Sequence, residues 1–214
     1  MRINADFSKP AVVIADDDAW VHSPEAGVDR LMLDRIGDEV ARATSIVRYA
    51  AGSAFPTHGH AKGEEYFVLE GVFSDESGHY PRGTYVRNPP GSSHAPFSKD
   101  GCRIIVKLRQ FDPEDLEYVV ADTTDESRWQ DGELELHVFG DERVLMTRLA
   151  AGDSLAIDRQ GGLELLVING ELRYDERSIG EECWLRLPPG DESPVSASRD
   201  TLAWVKTGHL KSLL

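Results

Sequence analysis

The sequence is poor in cysteine and in long apolar runs. Its only two cysteines are Cys102 and Cys183, too few for a disulfide scaffold and not spaced as a zinc pair. We expect each to be a small buried hydrophobic side chain. The first six residues lack the apolar core of a secretory signal, and no later apolar run reaches the roughly 18 residues of a membrane span. A cytoplasmic protein is therefore expected.

Positive charge is also scarce. The 214 residues include 23 Lys and Arg against 38 Asp and Glu, which gives a formal net charge of -15 at pH 7. A surface of this sign repels phosphate backbones and anionic lipid headgroups. We therefore expect neither nucleic acid nor membrane as a partner, and a small-molecule ligand or oxidant is the expected one.

Helical periodicity is scarce, whereas turn-forming residues are frequent. The 19 glycines and 11 prolines separate short runs rich in Val, Ile, Leu, Tyr and Phe, which is typical of many strands joined by tight turns. Eight strands are predicted, at residues 43–50, 65–70, 84–88, 102–108, 144–150, 163–168, 183–187 and 201–206. The predicted fold class is all-β, as a sandwich or barrel.

The chain contains an internal repeat. Residues 48–52 return 100 positions later as residues 148–152, and residues 68–71 return 99 positions later as residues 167–170. The two Pro-Pro-Gly turns also match at the offset of 99. Two copies of one unit imply two similar domains.

The repeat sets the predicted domain boundaries. The first domain is predicted over residues 1–125 and the second over residues 126–214. The opening thirty or so residues belong to neither copy, so we expect them to form an arm or extra strands packed on the first barrel.

A cluster of metal-ligand residue types follows the first copy of the repeated segment. His58 and His60 are two positions apart, so in a strand they share a face and can bind one ion. Gly63 lets the chain bend, and Glu64 can then supply an oxygen ligand to the same point. His94 follows a strand and a Pro-Gly turn, which would bring it in from a neighbouring antiparallel strand as the fourth ligand.

The full spacing, G-x5-H-x-H-x3-E-x6-G and then G-x5-P-x-G-x2-H, resembles the two cupin motifs. Ser98 is the one departure, because the cupin pattern has Asn at this position, which is not a metal ligand. The resemblance implies two tandem cupin barrels, each a double-stranded β-helix or jelly roll.

Residues 41–49, 63–78 and 87–94 resemble more closely the cupin-like domain of ChrR-type anti-sigma factors and their stand-alone relatives. The resemblance covers about residues 35–110. In that family the matching residues bind zinc, and the domain is thought to sense oxidative signals. The resemblance therefore implies a zinc site made by the four residues His58, His60, Glu64 and His94.

One part of the ChrR-type regulators is not matched. They hold their sigma factor with a separate N-terminal helical zinc domain built on a His-x3-Cys-x2-Cys motif. No cysteine precedes Cys102 in this sequence, so we do not expect a sigma factor as partner.

The second copy has lost the cluster. Under the offset of 99 or 100, His58 falls on Ile157 or Asp158, and His94 falls on Ser193. No imidazole remains, and one carboxylate cannot hold a transition metal alone. We expect a second barrel without metal that serves packing or an unrecognised ligand.

Glu65 competes with Glu64 as the carboxylate ligand, since cupins tolerate three or four intervening residues. The six-residue gap to Gly71 favours Glu64, and alternation then places Tyr66 on the ligand face. Tyr66 and Glu65 are therefore candidates for lining the pocket.

Arg48 and Arg87 are the other two pocket candidates. Both recur in the second copy, as Arg148 and Arg186. Because that copy lacks the cluster, barrel packing and salt bridging explain these arginines more simply than catalysis.

The residue types of the predicted site are compatible with several metals and with several functions. Imidazole and carboxylate suit zinc, iron(II), manganese, nickel or copper. One divalent ion per chain is predicted, zinc by the ChrR resemblance, with iron(II), manganese or nickel as alternatives. The first functional hypothesis is a bicupin that senses a small ligand or oxidant.

The second hypothesis is an Fe(II)-dependent dioxygenase like the cupins that cleave diketones or dihydroxyacetophenones, with the metal as Lewis acid and template. A purely structural bicupin is the third. Either a monomer or a homodimer is compatible with the sequence.

Overall fold

β-Strands make up nearly all of the regular structure. The computed structural model describes residues 1–14, 19–38 and 40–213. The described strands in chain order are β1 (Arg2–Ile3), β2 (Ala11–Val13), β3 (Trp20–His22), β4 (Val28–Ile36), β5 (Arg42–Tyr49), β6 (Ser53–Ala54), β7 (His58–Gly59), β8 (Glu64–Asp75), β9 (Gly78–Pro81), β10 (Thr84–Asn88), β11 (Ser93–His94), β12 (Phe97–Ser98), β13 (Cys102–Leu108), β14 (Val119–Asp122), β15 (Glu133–Phe139), β16 (Glu142–Leu149), β17 (Leu163–Tyr174), β18 (Arg177–Ile179), β19 (Trp184–Leu187) and β20 (Val195–Thr207). Short 3-10 helices lie at Glu126–Arg128 and Lys211–Leu213. The prediction of an all-β chain is confirmed.

The chain divides into two units, Met1–Ala5 with Asp16–Thr124 and Asp6–Ala15 with Asp125–Leu214. In the first unit the main sheet runs in the order β1-β4-β5-β13-β8-β10-β14, and β7 pairs with β11 in a separate two-stranded ladder. In the second unit the order is β15-β16-β20-β17-β19-β2. No helix in the described part of the chain is long and apolar enough to cross a membrane.

All eight predicted strands are present, but β8, β17 and β20 are longer than predicted. β8 and β17 continue past their predicted ends through a β-bulge, and the bulge lies at the same position of the sequence repeat in both strands. The residue skipped in the pairing is Leu69 in β8 and Ile168 in β17. Gly71 (φ 70°) and Gly170 (φ 95°) follow them, and a Cβ on Gly71 would lie only 2.2 Å from the Gly101 carbonyl oxygen. The repeated glycines are therefore required by the bulge geometry.

The opening segment differs from the prediction, because it is divided between the two units. β4 joins the first sheet beside β5, but β2 pairs with β19 of the second unit. The Arg186 guanidinium lies 4.1 Å from the centre of the Phe7 ring and donates to the Asp6 carbonyl, which holds this part of the segment on the second unit. Residues 15–18 of the predicted arm lie outside the described residues.

A row of buried charged residues crosses the first sheet. Arg87, Glu65 and Lys107 are neighbours in register on β10, β8 and β13. Arg87 Nη1 donates to Glu65 Oε2 at 2.9 Å, and Nη2 pairs with Asp115. The guanidinium also lies 3.8 Å from the centre of the Phe111 ring, and the side chain is fully buried.

The second sheet has the same row, made of Arg186, Glu164 and Lys206 on β19, β17 and β20. All three are buried. The repeated charged positions thus belong to the scaffold of both units, which agrees with the packing role expected for the arginine on β10.

Both cysteines lie in the interior. Cys102 belongs to the buried cluster of the first unit and Cys183 to that of the second, and both are free thiols. Burial raises the pKa of Cys102, which disfavours the reactive thiolate. The expectation that each thiol is a buried hydrophobic side chain is confirmed.

The Arg87→Met substitution removes the cation that lies between two buried carboxylates. We expect a loss of about 3–5 kcal/mol in the unfolding free energy, because a buried charge that loses its partner is strongly destabilising. Arg48→Met is the matched control, since Arg48 is exposed and pairs with Asp29 at the surface, where such pairs contribute about 0–1 kcal/mol. Urea denaturation followed by circular dichroism measures both, and equal losses would contradict the scaffold role.

Candidate metal centre

The four predicted ligands come together in the first unit. β7 and β11 form a short antiparallel ladder in which His58 lies directly opposite His94. Their ring centroids are 4.9 Å apart. The expectation that His94 approaches from a neighbouring antiparallel strand is confirmed.

His60 is held by the Pro-Gly turn. Its backbone N–H donates to the Ser92 carbonyl at 2.8 Å, and the Gly91 N–H donates to the His60 carbonyl at 2.9 Å. The His60 ring lies 5.2 Å from that of His58 and 4.6 Å from that of His94. The turn therefore fixes the distance between the two cupin motifs.

Glu64 is the first residue of β8 and follows Gly63, whose φ is 73°. A Cβ on Gly63 would lie 2.3 Å from the Phe111 ring, so only glycine fits this bend. Asn88 Nδ2 donates to Glu64 Oε2 at 3.0 Å and orients the buried carboxylate. Glu65 points to the other face of the strand.

The donor atoms fit a metal ion. One ligand atom from each of His58, His60, Glu64 and His94 lies within 4.8 Å of all the others. Glu64 Oε2 is 3.4 Å from both His60 Nε2 and His94 Nε2. Ligand atoms about 2.1 Å from a tetrahedral zinc ion lie about 3.4 Å apart. The two Nε2 atoms are buried and have no hydrogen-bond partner among the described residues.

The other ring nitrogen of each histidine determines its tautomer. His58 Nδ1 lies 3.1 Å from the Pro56 carbonyl oxygen, which can only accept. His60 Nδ1 lies 3.0 Å from Ser92 Oγ, whose hydroxyl donates to the Pro89 carbonyl and so accepts from the ring. Both rings therefore carry hydrogen on Nδ1 and present the Nε2 lone pair to the centre. Burial lowers the pKa of His60, which favours the neutral ring that metal binding requires.

Asp75 fixes the third histidine. Its Oδ2 lies 3.2 Å from His94 Nδ1, and its Oδ1 accepts from the Ser77 and Gly78 backbone N–H groups and from the Tyr80 hydroxyl. The sequence analysis missed this residue. An Asp two positions before a Ser-Gly pair indicates only a turn, and β8 must be folded onto β11 before the carboxylate lies behind the imidazole.

A cavity of about 420 Å³ opens onto the four residues. The inward-facing residues of β5 line one wall, and further apolar lining includes Phe55, Phe73, Ile104, Val106 and Leu108. Three arginines, Arg30, Arg35 and Arg109, also line it. This volume and mixed lining are typical of small-molecule sites.

The structure does not bring the four pocket candidates to this cavity. Arg87 and Glu65 form part of the buried charged row on the other face of the sheet. Arg48 is exposed, pairs with Asp29 and lies 4.6 Å from the Trp20 ring centre.

Tyr66 does share the inward face with Glu64, as alternation predicts, but it lies within the core against Phe73, with ring centroids 4.8 Å apart. Burial raises the pKa of its hydroxyl. Ser98, the departure from the cupin pattern, is buried and donates to the Val72 carbonyl at 2.8 Å. Both residues therefore belong to the scaffold around the centre.

In the second unit, other residue types occupy the positions that correspond to the four predicted ligands. Gly190 N donates to the Arg159 carbonyl at 2.9 Å, which is the bond that Gly91 makes with His60 in the first unit. Arg159 is therefore the structural counterpart of His60, at the offset of 99. The counterparts of His58, Glu64 and His94 at the same offset are Ile157, Leu163 and Ser193.

The Arg159 side chain forms hydrogen bonds across the region of the second unit that corresponds to the four-residue cluster of the first. Its Nη1 donates to the Ser193 carbonyl at 2.6 Å, and its Nη2 donates to the Leu155 carbonyl at 3.0 Å. Burial lowers the pKa of Arg159. A fixed guanidinium and two aliphatic side chains thus take the places of three donors, which disfavours a cation there.

The comparison with protein families gives a match over the part of the chain that contains the candidate metal centre. The family model described as the ChrR cupin-like domain matches residues 8–112, just under half of the chain. This range includes both motifs and all four predicted ligands. Residues 8–112 are therefore similar to the ChrR cupin-like domain. Among curated proteins, none matches the sequence significantly.

Solved structures show that the similarity in fold extends beyond residues 8–112. A protein from Nostoc punctiforme, provisionally described as a dioxygenase, has a TM-score of 0.70 at 13% identity and covers 99% of this chain and 83% of its own. The bacterial pirin YhhW from Escherichia coli, solved in complex with nickel(II), has a TM-score of 0.67 at 16% identity and covers 91% and 97%. A variant of salicylate 1,2-dioxygenase from Pseudoaminobacter salicylatoxidans has a TM-score of 0.62 at 12% identity and covers 95% and 85%. The prediction of two tandem cupin barrels is confirmed at the level of the fold.

Asp75→Asn tests the contact behind His94. Asparagine keeps an acceptor for the imidazole but loses the charge, and loss of such an outer partner lowers metal affinity by about 10- to 100-fold. Asp122→Asn is the control, because Asp122 also accepts from a turn backbone N–H, that of Thr124, but lies outside the centre. Zinc titration against a chromophoric chelator measures both affinities. An unchanged affinity in Asp75→Asn would show that this contact does not tune the centre.

Proposed function

We propose that the ChrR cupin-like domain binds one divalent metal ion, zinc first, through His58, His60, Glu64 and His94. We further propose that the protein is a small-molecule or oxidant sensing module. The observation that carries the first part is the convergence of three lone-pair nitrogens and one carboxylate oxygen, with every Nδ1 already engaged. The two separations of 3.4 Å between Glu64 Oε2 and the Nε2 atoms of His60 and His94 support zinc, because they match a tetrahedral shell.

The chain's own residues would do three things at such a centre. The four ligands hold the ion, the acceptors behind the imidazoles orient them, and the apolar cavity walls exclude water from a ligand that approaches the ion. When bound, the metal supplies Lewis acidity to an oxygen atom of that ligand. His58 is the least buried of the four residues, so it marks the more open side of the centre.

The titratable groups along the cavity support a binding role over catalysis. Besides the four ligands and the arginines, the lining includes only Glu25 and Tyr49 as titratable groups in the described part of the chain. Burial raises the pKa of Tyr49 well above its usual value, which makes it a poor base at neutral pH. A sensing module needs no such group, because the response follows from binding.

An Fe(II)-dependent dioxygenase that cleaves a small diketone is the second candidate. The cavity favours it, since its volume and apolar walls suit a small organic substrate. The similar structures from Nostoc punctiforme and Pseudoaminobacter salicylatoxidans also bear the description dioxygenase. Three histidines and one glutamate suit iron(II) as well as zinc.

Metal content tests the site itself. We expect about one zinc ion per chain in the purified protein, and loss of most of it in His58→Ala and His94→Ala, because removal of one of four ligands leaves an incomplete shell. His79→Ala is the matched control, since the His79 ring is bonded to Ser74 and lies outside the cluster. Elemental analysis by mass spectrometry measures the stoichiometry. Full retention in the two ligand variants would contradict the assignment.

Oxygen uptake separates the two functions. The protein is stripped of metal, reconstituted with iron(II) and supplied with acetylacetone in an oxygen electrode. The sensing module predicts no uptake dependent on the diketone. Sustained uptake, abolished in His94→Ala, would favour the dioxygenase.

A further inference from the structure

The cavity wall contains a nearly buried phenol, that of Tyr49, which is not part of the candidate metal centre. Tyr49 is the last residue of β5 and belongs to the cavity lining together with Ala43 and Val47. Alternate residues of a strand share a face, so Tyr49 points inward as these two residues do. Only 7% of its surface is exposed.

Two phenyl rings fix the orientation of the Tyr49 ring. Phe55 and Phe73 contact it edge to face, with ring centroids 5.7 and 5.4 Å away. The same two rings also contact the candidate metal centre. Phe55 lies 6.0 Å from the His58 ring. Phe73 lies 6.1 Å from the His94 ring. A single phenyl ring therefore separates the phenol from each of these two predicted ligands.

The Tyr49 hydroxyl is open to the cavity. It has no hydrogen-bond partner among the described residues, but they do not enclose it. Tyr66, on the inward face of β8, provides the contrast. Its hydroxyl also lacks a hydrogen-bond partner in the described part of the chain, but it is enclosed in the core, and Tyr66 does not line the cavity. Of these two phenols, only that of Tyr49 reaches a molecule in the cavity.

The phenol acts as a hydrogen-bond donor at neutral pH. Burial, and next the negative charge of Glu64, raise the pKa of Tyr49 well above its usual value, so the hydroxyl keeps its hydrogen. A ligand that fills the cavity without an acceptor atom leaves this donor unpaired, which is costly. A polar group of this kind in a largely apolar wall distinguishes between ligands of the same shape.

We infer that Tyr49 is a specificity-determining residue of the cavity, and that it donates a hydrogen bond to the oxygen of a small carbonyl compound whose apolar body contacts Phe55 and Phe73. A carbonyl oxygen accepts and brings no hydrogen of its own. It therefore satisfies the phenol without adding a donor that the two phenyl rings would leave unpaired.

The inference names the ligand class of the sensing module, and in this respect it rests on the proposed function. The contact itself involves only the phenol and the ligand, so it does not require the metal. In a different arrangement, the carbonyl oxygen binds the ion and the phenol makes no contact with it. The test below separates these two arrangements.

Isothermal titration with matched probes tests the inference. Acetophenone and α-methylstyrene, and cyclohexanone and methylenecyclohexane, differ within each pair only in the carbonyl oxygen, which a methylene group replaces. In Tyr49→Phe the affinity for the ketone relative to its hydrocarbon is expected to fall about tenfold from the wild-type value, for at least one pair. Tyr66→Phe is the matched control, because it removes an enclosed hydroxyl from the same unit, and it should leave this ratio unchanged.

Circular dichroism and metal content are measured for every variant, and Tyr49→Met replaces Tyr49→Phe if the latter does not fold. A ratio that falls in the Tyr49 variant supports the inference with or without bound metal, so it stands even if the metal proposal fails. A ratio that is unaffected in the folded Tyr49 variant but falls on chelation of the metal would overturn it, because the carbonyl then binds the ion. Failure of both ketones to bind the folded wild-type protein would overturn it as well.

Discussion

The geometry of the candidate metal centre depends on the acceptor that faces Nδ1 of each imidazole. A histidine presents its Nε2 lone pair only when Nδ1 carries the hydrogen, and each of the three Nδ1 atoms faces an acceptor. A carbonyl, a hydroxyl committed to another carbonyl, and a carboxylate provide these acceptors. All three acceptors lie in turns or at strand ends, and this placement orients the three rings toward one point. Glu64, the first residue of β8, supplies the fourth donor atom.

The internal repeat separates what the scaffold requires from what the site requires. Both units keep the bulge, the glycine after it, and a buried row of arginine, glutamate and lysine across three strands. Only the first unit keeps the imidazoles. In the second unit Arg159 takes the position of His60 and bonds to backbone carbonyls. The same fold therefore accommodates either set of side chains, and the candidate metal centre is a local property of the first unit.

The cavity links the scaffold to the function. Alternation along β5 supplies apolar walls, the bulge in β4 redirects an arginine inward, and the Pro-Gly turn sets the histidines at one end. Its lining combines apolar walls with a few polar groups, which is typical of small-molecule sites. The fold alone does not identify a ligand, since solved structures with different descriptions share it.

The sequence by itself determined the all-β class, the two repeated units and the four predicted ligands. These are local properties, because motif spacing, strand alternation and turn residues are written in consecutive positions. Only the tertiary structure decided that Glu65 and Arg87 face away from the cavity, that residues 6–14 join the second unit, and that Asp75, Arg30 and Arg109 surround the site. Those facts depend on register shifts at bulges and on contacts between distant strands, and a one-residue shift reverses the face on which a side chain lies.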